Sequence, residues 1–170
     1  MKKVLRVGVV ALAAATAALL VGTAWASTSA VQAKSKKINF TATYAGVANV
    51  KVTDNVADIS VANGVGKGTL MGKSTVKGVG KGDASQQPCV PFTGNGTMAN
   101  TKGVKIVFTM LKGSGCGDEQ GEVFSITGRA KILKGTKAFK KSKNSVLKVT
   151  GTYSRGTGAF TVKFSGKITV

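Results

Sequence analysis

The feature that most constrains this chain is a period-two alternation of apolar and polar residues, which recurs from Lys37 to Val170. Phe160, Val162, Phe164, Gly166, Ile168 and Val170 alternate with Thr161, Lys163, Ser165, Lys167 and Thr169. Successive side chains of an extended strand point to opposite faces, so this run is a half-buried strand with its lysines in water. Leu147, Val149, Gly151 and Tyr153 alternate in the same way with Val146, Lys148, Thr150 and Thr152. Phe124, Ile126, Gly128, Ala130 and Ile132 alternate with Ser125, Thr127, Arg129 and Lys131. The polar face excludes a barrel whose outer wall meets lipid. No window of about 12 residues carries a helical period, and glycine recurs too often for one.

Eight or nine candidate strands follow, at about 37–44, 47–53, 56–62, 65–79, 92–99, 103–112, 121–133, 145–154 and 157–169. Short turns rich in Gly, Asn, Asp and Lys separate them. The series predicts an all-β domain: one antiparallel meander closed into a barrel of eight or nine strands, with a β-sandwich as the alternative. Closure removes exposed strand edges and favours the barrel. On the long fourth strand Gly66, Gly68, Gly72 and Gly78 share a face opposite Lys67, Thr69, Met71, Lys73, Thr75 and Lys77. Glycines on an inner face fit sharp coiling or close backbone approach.

The first 26 residues stand outside this pattern. Lys2, Lys3 and Arg6 precede an apolar run from Val7 to Val21, and Ala24-Trp25-Ala26 supplies a small-x-small cleavage site. A retained anchor would need about 20 apolar residues, and this run has 15. A secretory signal of bacterial type, cleaved after Ala26, is therefore expected, with the secreted, extracytoplasmic protein beginning at Ser27 and carrying no transmembrane segment. Residues 27–36 are small and polar and read as a flexible leader. Residues 37–170 make one domain.

The formal charge of the whole chain is +19, and removing Lys2, Lys3 and Arg6 leaves +16. No acid follows Glu122, whereas eleven basic residues do, so an acidic partner would be drawn to that part of the chain. Five of them, Lys134, Lys137, Lys140, Lys141 and Lys143, cross one inter-strand loop and are candidate anion-binding residues. The competing reading is a solvated cationic loop that keeps the protein soluble. Phe139 is the one aromatic among them and Trp25 leaves with the signal, so base stacking lacks a platform and sequence-specific nucleic-acid binding is not expected.

Several segments carry a resemblance: GVGKG at 64–68, FTGNGTM at 92–98, GTKAF at 135–139, VTGTY at 149–153 and GAFTVKFSGKITV at 158–170. They resemble the secreted barrels related to allene oxide cyclase and dirigent proteins, over most of residues 38–170. The resemblance implies a barrel that works on an apolar small molecule in its lumen without a cofactor. The chain departs from that group where Lys140, Lys141, Ser142 and Lys143 replace small uncharged residues.

Cys89 and Cys116 are the only cysteines. An even count in an exported chain predicts a disulfide. Their midpoint falls in the Asn100-Thr101-Lys102-Gly103 turn signal, so a hairpin folded there sets them opposite each other. That register also sets Met98 across from Val107, while alternation prefers Ile106 or Phe108 on the face of Met98. A one-residue bulge in either strand reconciles the two.

The chain has no histidine, which removes Ser-His-Asp and Cys-His nucleophilic sites and the usual metal ligand. No metal and no cofactor is expected. Asp118, Glu119 and Glu122 read as a solvated hairpin tip, lacking the alternating oxygen ligands of a calcium loop. Gly68-Thr69-Leu70-Met71-Gly72-Lys73-Ser74 mimics a phosphate loop, but Lys67 stands where glycine is required and the segment reads as strand. A lumen with chemistry would need a desolvated group, for which Tyr44, Tyr153 and, at the barrel mouth, Asp58 are the candidates. No catalytic residue is assigned. The expected role is non-catalytic binding of an apolar small ligand or a polyanionic envelope component. A cofactor-free isomerase or cyclase, and a structural envelope protein, are the alternatives.

Overall fold

A computed structural model describes residues 35–170. The signal expected over 1–26, and the leader as far as residue 34, lie outside the described residues. The leader's last two residues are described, and Lys36 exchanges two backbone hydrogen bonds with Val170.

Eight antiparallel strands, β1 (Lys37–Thr53), β2 (Val56–Gly68), β3 (Gly72–Asp83), β4 (Cys89–Ala99), β5 (Lys105–Gly117), β6 (Val123–Gly135), β7 (Val146–Ser154) and β8 (Ala159–Thr169), follow one another around a closed barrel. Each strand pairs with its neighbours in sequence and β8 returns to β1, with Tyr44 opposite Val162. The one other element among the described residues is a single 3-10 turn, Lys137–Phe139. No helix among the described residues is long and apolar enough to cross a membrane.

The eight strands fall within the eight or nine expected, and two sets of boundaries are corrected. Segments 37–44 and 47–53 are one strand, bent by a register shift at Val47/Ala48 and paired with β2 as far as Thr53. Residues 65–79 are not one strand: they divide at a turn over 69–71, and residues 56–62 run on into the first part across a register shift between Val61 and Gly64. The alternation hid this turn because Gly66 and Ser74, on either side of it, keep the same parity. Nor does Thr69-Leu70-Met71 look like a turn. Leu70 takes φ 60, where glycine or asparagine is the usual occupant. Gly72, the first residue of β3, has φ 64 and is exposed, so it sits at the exit of the turn and lines no interior. Gly66 does face inward, and a Cβ there would stand 1.9 Å from the Thr43 carbonyl oxygen, so β1 and β2 can approach only with glycine at this position.

β4 begins at Cys89 and β5 runs to Gly117, so both cysteines lie within the ladder, directly paired and disulfide-bonded. The register changes between Phe92↔Gly113 and Gly94↔Met110, which places one extra residue on β5 at Leu111 and Lys112. The bulge leaves Met98 opposite Ile106 and both in the core, as alternation requires. A bridge closing a 27-residue separation stabilises by about 3–4 kcal/mol in the loop-entropy model.

The core fills the barrel. Phe108 packs edge-on to Phe164 with centroids 5.1 Å apart, Tyr44 meets Phe164 at 6.3 Å, and Met98, Ile106, Ile132, Leu147 and Ile168 are fully buried around them. Two further plugs come from turns: Met71, and Phe139, which meets Phe40 edge-on at 5.8 Å.

An up-and-down barrel puts alternate connections at the same end. The basal end carries both described chain ends, the turns at 69–71 and 100–104, and the loop at 136–145. The apical end carries the connections at 54–55, 84–88, 118–122 and 155–158.

Candidate functional site

The basal connections are tied to one another by hydrogen bonds. Thr69 locks the β2–β3 turn to β1: its N–H donates to the Thr41 carbonyl at 2.8 Å and its Oγ1 accepts the Thr41 N–H at 3.0 Å. Asn100 organises the next turn by accepting the N–H groups of Lys102 and Val104, each at 3.0 Å. Its Nδ2 donates back to the Met71 carbonyl at 2.7 Å. Thr136 then joins that turn to the β6–β7 loop, accepting the Lys105 N–H at 2.8 Å and donating to the Gly103 carbonyl at 2.9 Å. Lys137 Nζ also donates to the Lys102 carbonyl. Ser142, fully buried, donates to the Thr169 carbonyl at 2.7 Å, and Lys36 and Val170 complete the ring.

The loop expected to bind anions is thus an ordered cap, pinned by Phe139 in the core. Lys134 is the penultimate residue of strand β6, before this loop, and Lys134, Lys137, Lys140, Lys141 and Lys143 are all exposed. Their backbone is held; Lys137 Nζ itself joins the cap through the Lys102 carbonyl, and the other hydrogen bonds named above are made by neutral side chains and main chain.

What the sequence reading missed is how far this charge is separated from the acids. Thirteen lysines and no acid occupy the basal connections or lie within two residues of a basal strand end. The added members include Lys67, Lys73, Lys102, Lys105 and Lys167. All six acids lie at the apical end by the same measure, against Lys51, Lys81 and Arg155. Two of them brace their own turns there. Asp118 accepts the N–H groups of Glu122 and Val123 at 2.8 and 3.2 Å, the hairpin-tip role expected for that cluster. The Ser85 side chain, then Gln86, hydrogen-bonds the Asp83 carboxylate and holds its pKa below the ordinary value.

The candidate lumen groups separate. Tyr44 points inward and is buried, its hydroxyl 3.0 Å from Ser74 Oγ. Tyr153 is half-buried against the ring of Phe124, 6.2 Å away. Asp58 is a correction: its carboxylate is not at the lumen but on the outer wall, 55% exposed and 3.5 Å from Lys81 Nζ. Alternation decides this, because Ala57 and Ile59 take the inward positions on either side of it. Among the described residues every buried side-chain polar atom has a hydrogen-bond partner. Two open hollows of about 540 and 680 Å³ lie on the outer wall, lined largely by outward residues such as Asn49, Ser60, Asn95 and Thr127. The segment that mimics a phosphate loop is a hairpin turn followed by a strand.

Burial pushes the Tyr44 phenol above its ordinary pKa. The sign of the linkage follows: the unfolded chain loses this proton first, so the stabilisation is complete below about pH 10 and is lost as pH rises through the folded-state value. In urea denaturation between about pH 8 and about pH 11, Tyr44→Phe is expected to lose less stability than the unsubstituted protein. Parallel losses in the two would contradict a buried neutral phenol.

In comparison with solved structures, the chain is similar to a protein of unknown function from Clostridium acetobutylicum ATCC 824, with a TM-score of 0.53 and 12% identity over 79% of this chain and 99% of that one. At this identity the likeness shows the fold alone. No protein-family model and no functionally curated protein matches the chain.

Proposed function

We propose that this barrel is an exported, non-catalytic module that binds a polyanionic component of the cell envelope through its basal end. The observation that carries the reading is the segregation of charge: thirteen lysines and no acid at one end, and all six acids at the other. A field of one sign over a fixed surface concentrates opposite charge and orients its approach. The cations here are lysines, strongly hydrated point charges without the planar fork of arginine. They suit a repeating anionic surface better than one small anion held in a fixed pose. Export rests on the signal-like run at 1–26 and agrees with the disulfide, since such bonds persist in oxidising compartments.

The resemblance to the allene oxide cyclase and dirigent barrels favours an apolar ligand in the lumen, as binder or cyclase. Packing favours the polyanion instead, because Phe108, Phe164 and Tyr44 occupy the space a ligand would need and the Tyr44 hydroxyl is engaged by Ser74.

The test is binding of a soluble polyphosphate as salt is raised. Each phosphate neutralised on a flexible chain releases counterions, giving a slope of about −0.7 in log K against log salt. About five contacts would lower affinity on the order of 10²-fold from roughly 50 to 200 mM salt. Affinity that does not change over this range would overturn the proposal.

A further inference from the structure

The β2–β3 turn departs from ordinary turn chemistry in three ways. Leu70 sits at its tip with φ 60 and 55% exposed, an apolar branched side chain in a backbone conformation that favours glycine or asparagine. Lys67 and Lys73 stand directly opposite each other on the two strands entering the turn. Like charges in that arrangement repel. The turn is also held rigidly, by Thr69 on β1 and by Asn100 on the Met71 carbonyl, while Met71 itself is buried. Leu70 is therefore the one apolar side chain of the turn that is presented to solvent. Like-charge repulsion and apolar exposure concentrated in one braced turn are costs that a suitable partner would relieve.

We propose that the basal end seats on an anionic lipid bilayer, with Leu70 entering the headgroup–acyl boundary and Lys67 and Lys73 taking lipid phosphates on either side of it. The inference rests on the polyanion reading and names its partner. Charge complementarity selects an anionic surface, since thirteen lysines and no acid lie at the end of the barrel that carries this tip. The apolar tip selects it over a soluble polymer, which offers no hydrocarbon for Leu70. Across the ring, at the β6–β7 loop, Leu133 and Val146 add partly exposed apolar surface near the same end.

The decisive variant is Leu70→Asn, because asparagine accepts this backbone conformation and the fold is retained. Binding is measured by co-sedimentation with vesicles of mixed phosphatidylglycerol and phosphatidylcholine, and separately with soluble polyphosphate. The unsubstituted protein is expected to bind both, and Leu70→Asn to bind vesicles about ten- to a hundredfold more weakly with polyphosphate binding unchanged. Equal vesicle binding by the two proteins overturns the inference. Binding of polyphosphate without vesicles also overturns it and leaves the polyanion reading intact, whereas binding of neither removes both.

Discussion

Phe139→Ala is expected to destabilise the barrel by about 3–5 kcal/mol, the range for removing a fully buried aromatic side chain. Phe139 belongs to a loop, yet it has no exposed surface and packs edge-on to Phe40, at the base of the core. The loop cannot rearrange to fill the space without breaking its own attachments. Thr136 is fixed to β5 on one side, and Ser142 to the Thr169 carbonyl on the other. The cavity should therefore persist, which places the loss at the upper part of the range. Lys140→Ala, one residue further on and exposed, should fall within about 0.5 kcal/mol of the unsubstituted protein. Urea denaturation of the two variants with disulfide intact checks the contrast. A loss under about 1 kcal/mol for Phe139→Ala would mean that the cap is not anchored through the core.

The barrel was legible because its strands are half-buried. Inward Phe160, Phe164 and Ile168 and outward Lys163 and Lys167 are written into β8 residue by residue, and the same holds for β6 and β7. Even the need for a bulge in the β4–β5 hairpin followed from a conflict in the sequence, between pairing the cysteines and keeping Met98 inward, although not the strand that carries it. Strand ends were less legible wherever glycine replaced the inward apolar residue. Gly113, Gly115 and Gly117 leave no side chain to alternate, so the last part of β5 read as loop. The turn at 69–71 was invisible for the opposite reason, an apolar residue where a turn former is expected.

Phe139 showed only as one aromatic among lysines, since nothing local distinguishes a plug from an exposed ring. Its burial is decided by Phe40, roughly a hundred residues away in sequence. The charge segregation, by contrast, could have been read without coordinates. In a meander alternate connections share an end, and Asp54, Asp58, Asp83, Asp118, Glu119 and Glu122 all fall in or beside alternate connections. Misplacing the second turn to 63–64 does not alter that parity. Along the chain the asymmetry shows only as an acid-free stretch after Glu122, whereas in the barrel it runs from one end to the other.

The claim that the basal end, and not net charge, carries polyanion binding is tested most directly by two variants of equal charge. One replaces Lys137, Lys140, Lys141 and Lys143 with Gln; the other replaces Lys51, Lys77, Lys112 and Lys163, which are exposed on strands away from the basal connections. Each loses four cations, so a nonspecific attraction to a basic protein would weaken equally in both. If the four loop lysines contact polyphosphate, their loss removes about four counterion-release terms, on the order of 10²- to 10³-fold in affinity at roughly 0.1 M salt. The strand variant should stay within about threefold of the unsubstituted protein, its lysines acting only through the screened long-range field. Thermal unfolding establishes that both variants retain the fold. A selective loss in the loop variant is the predicted result; equal losses, or a larger loss in the strand variant, would contradict the account.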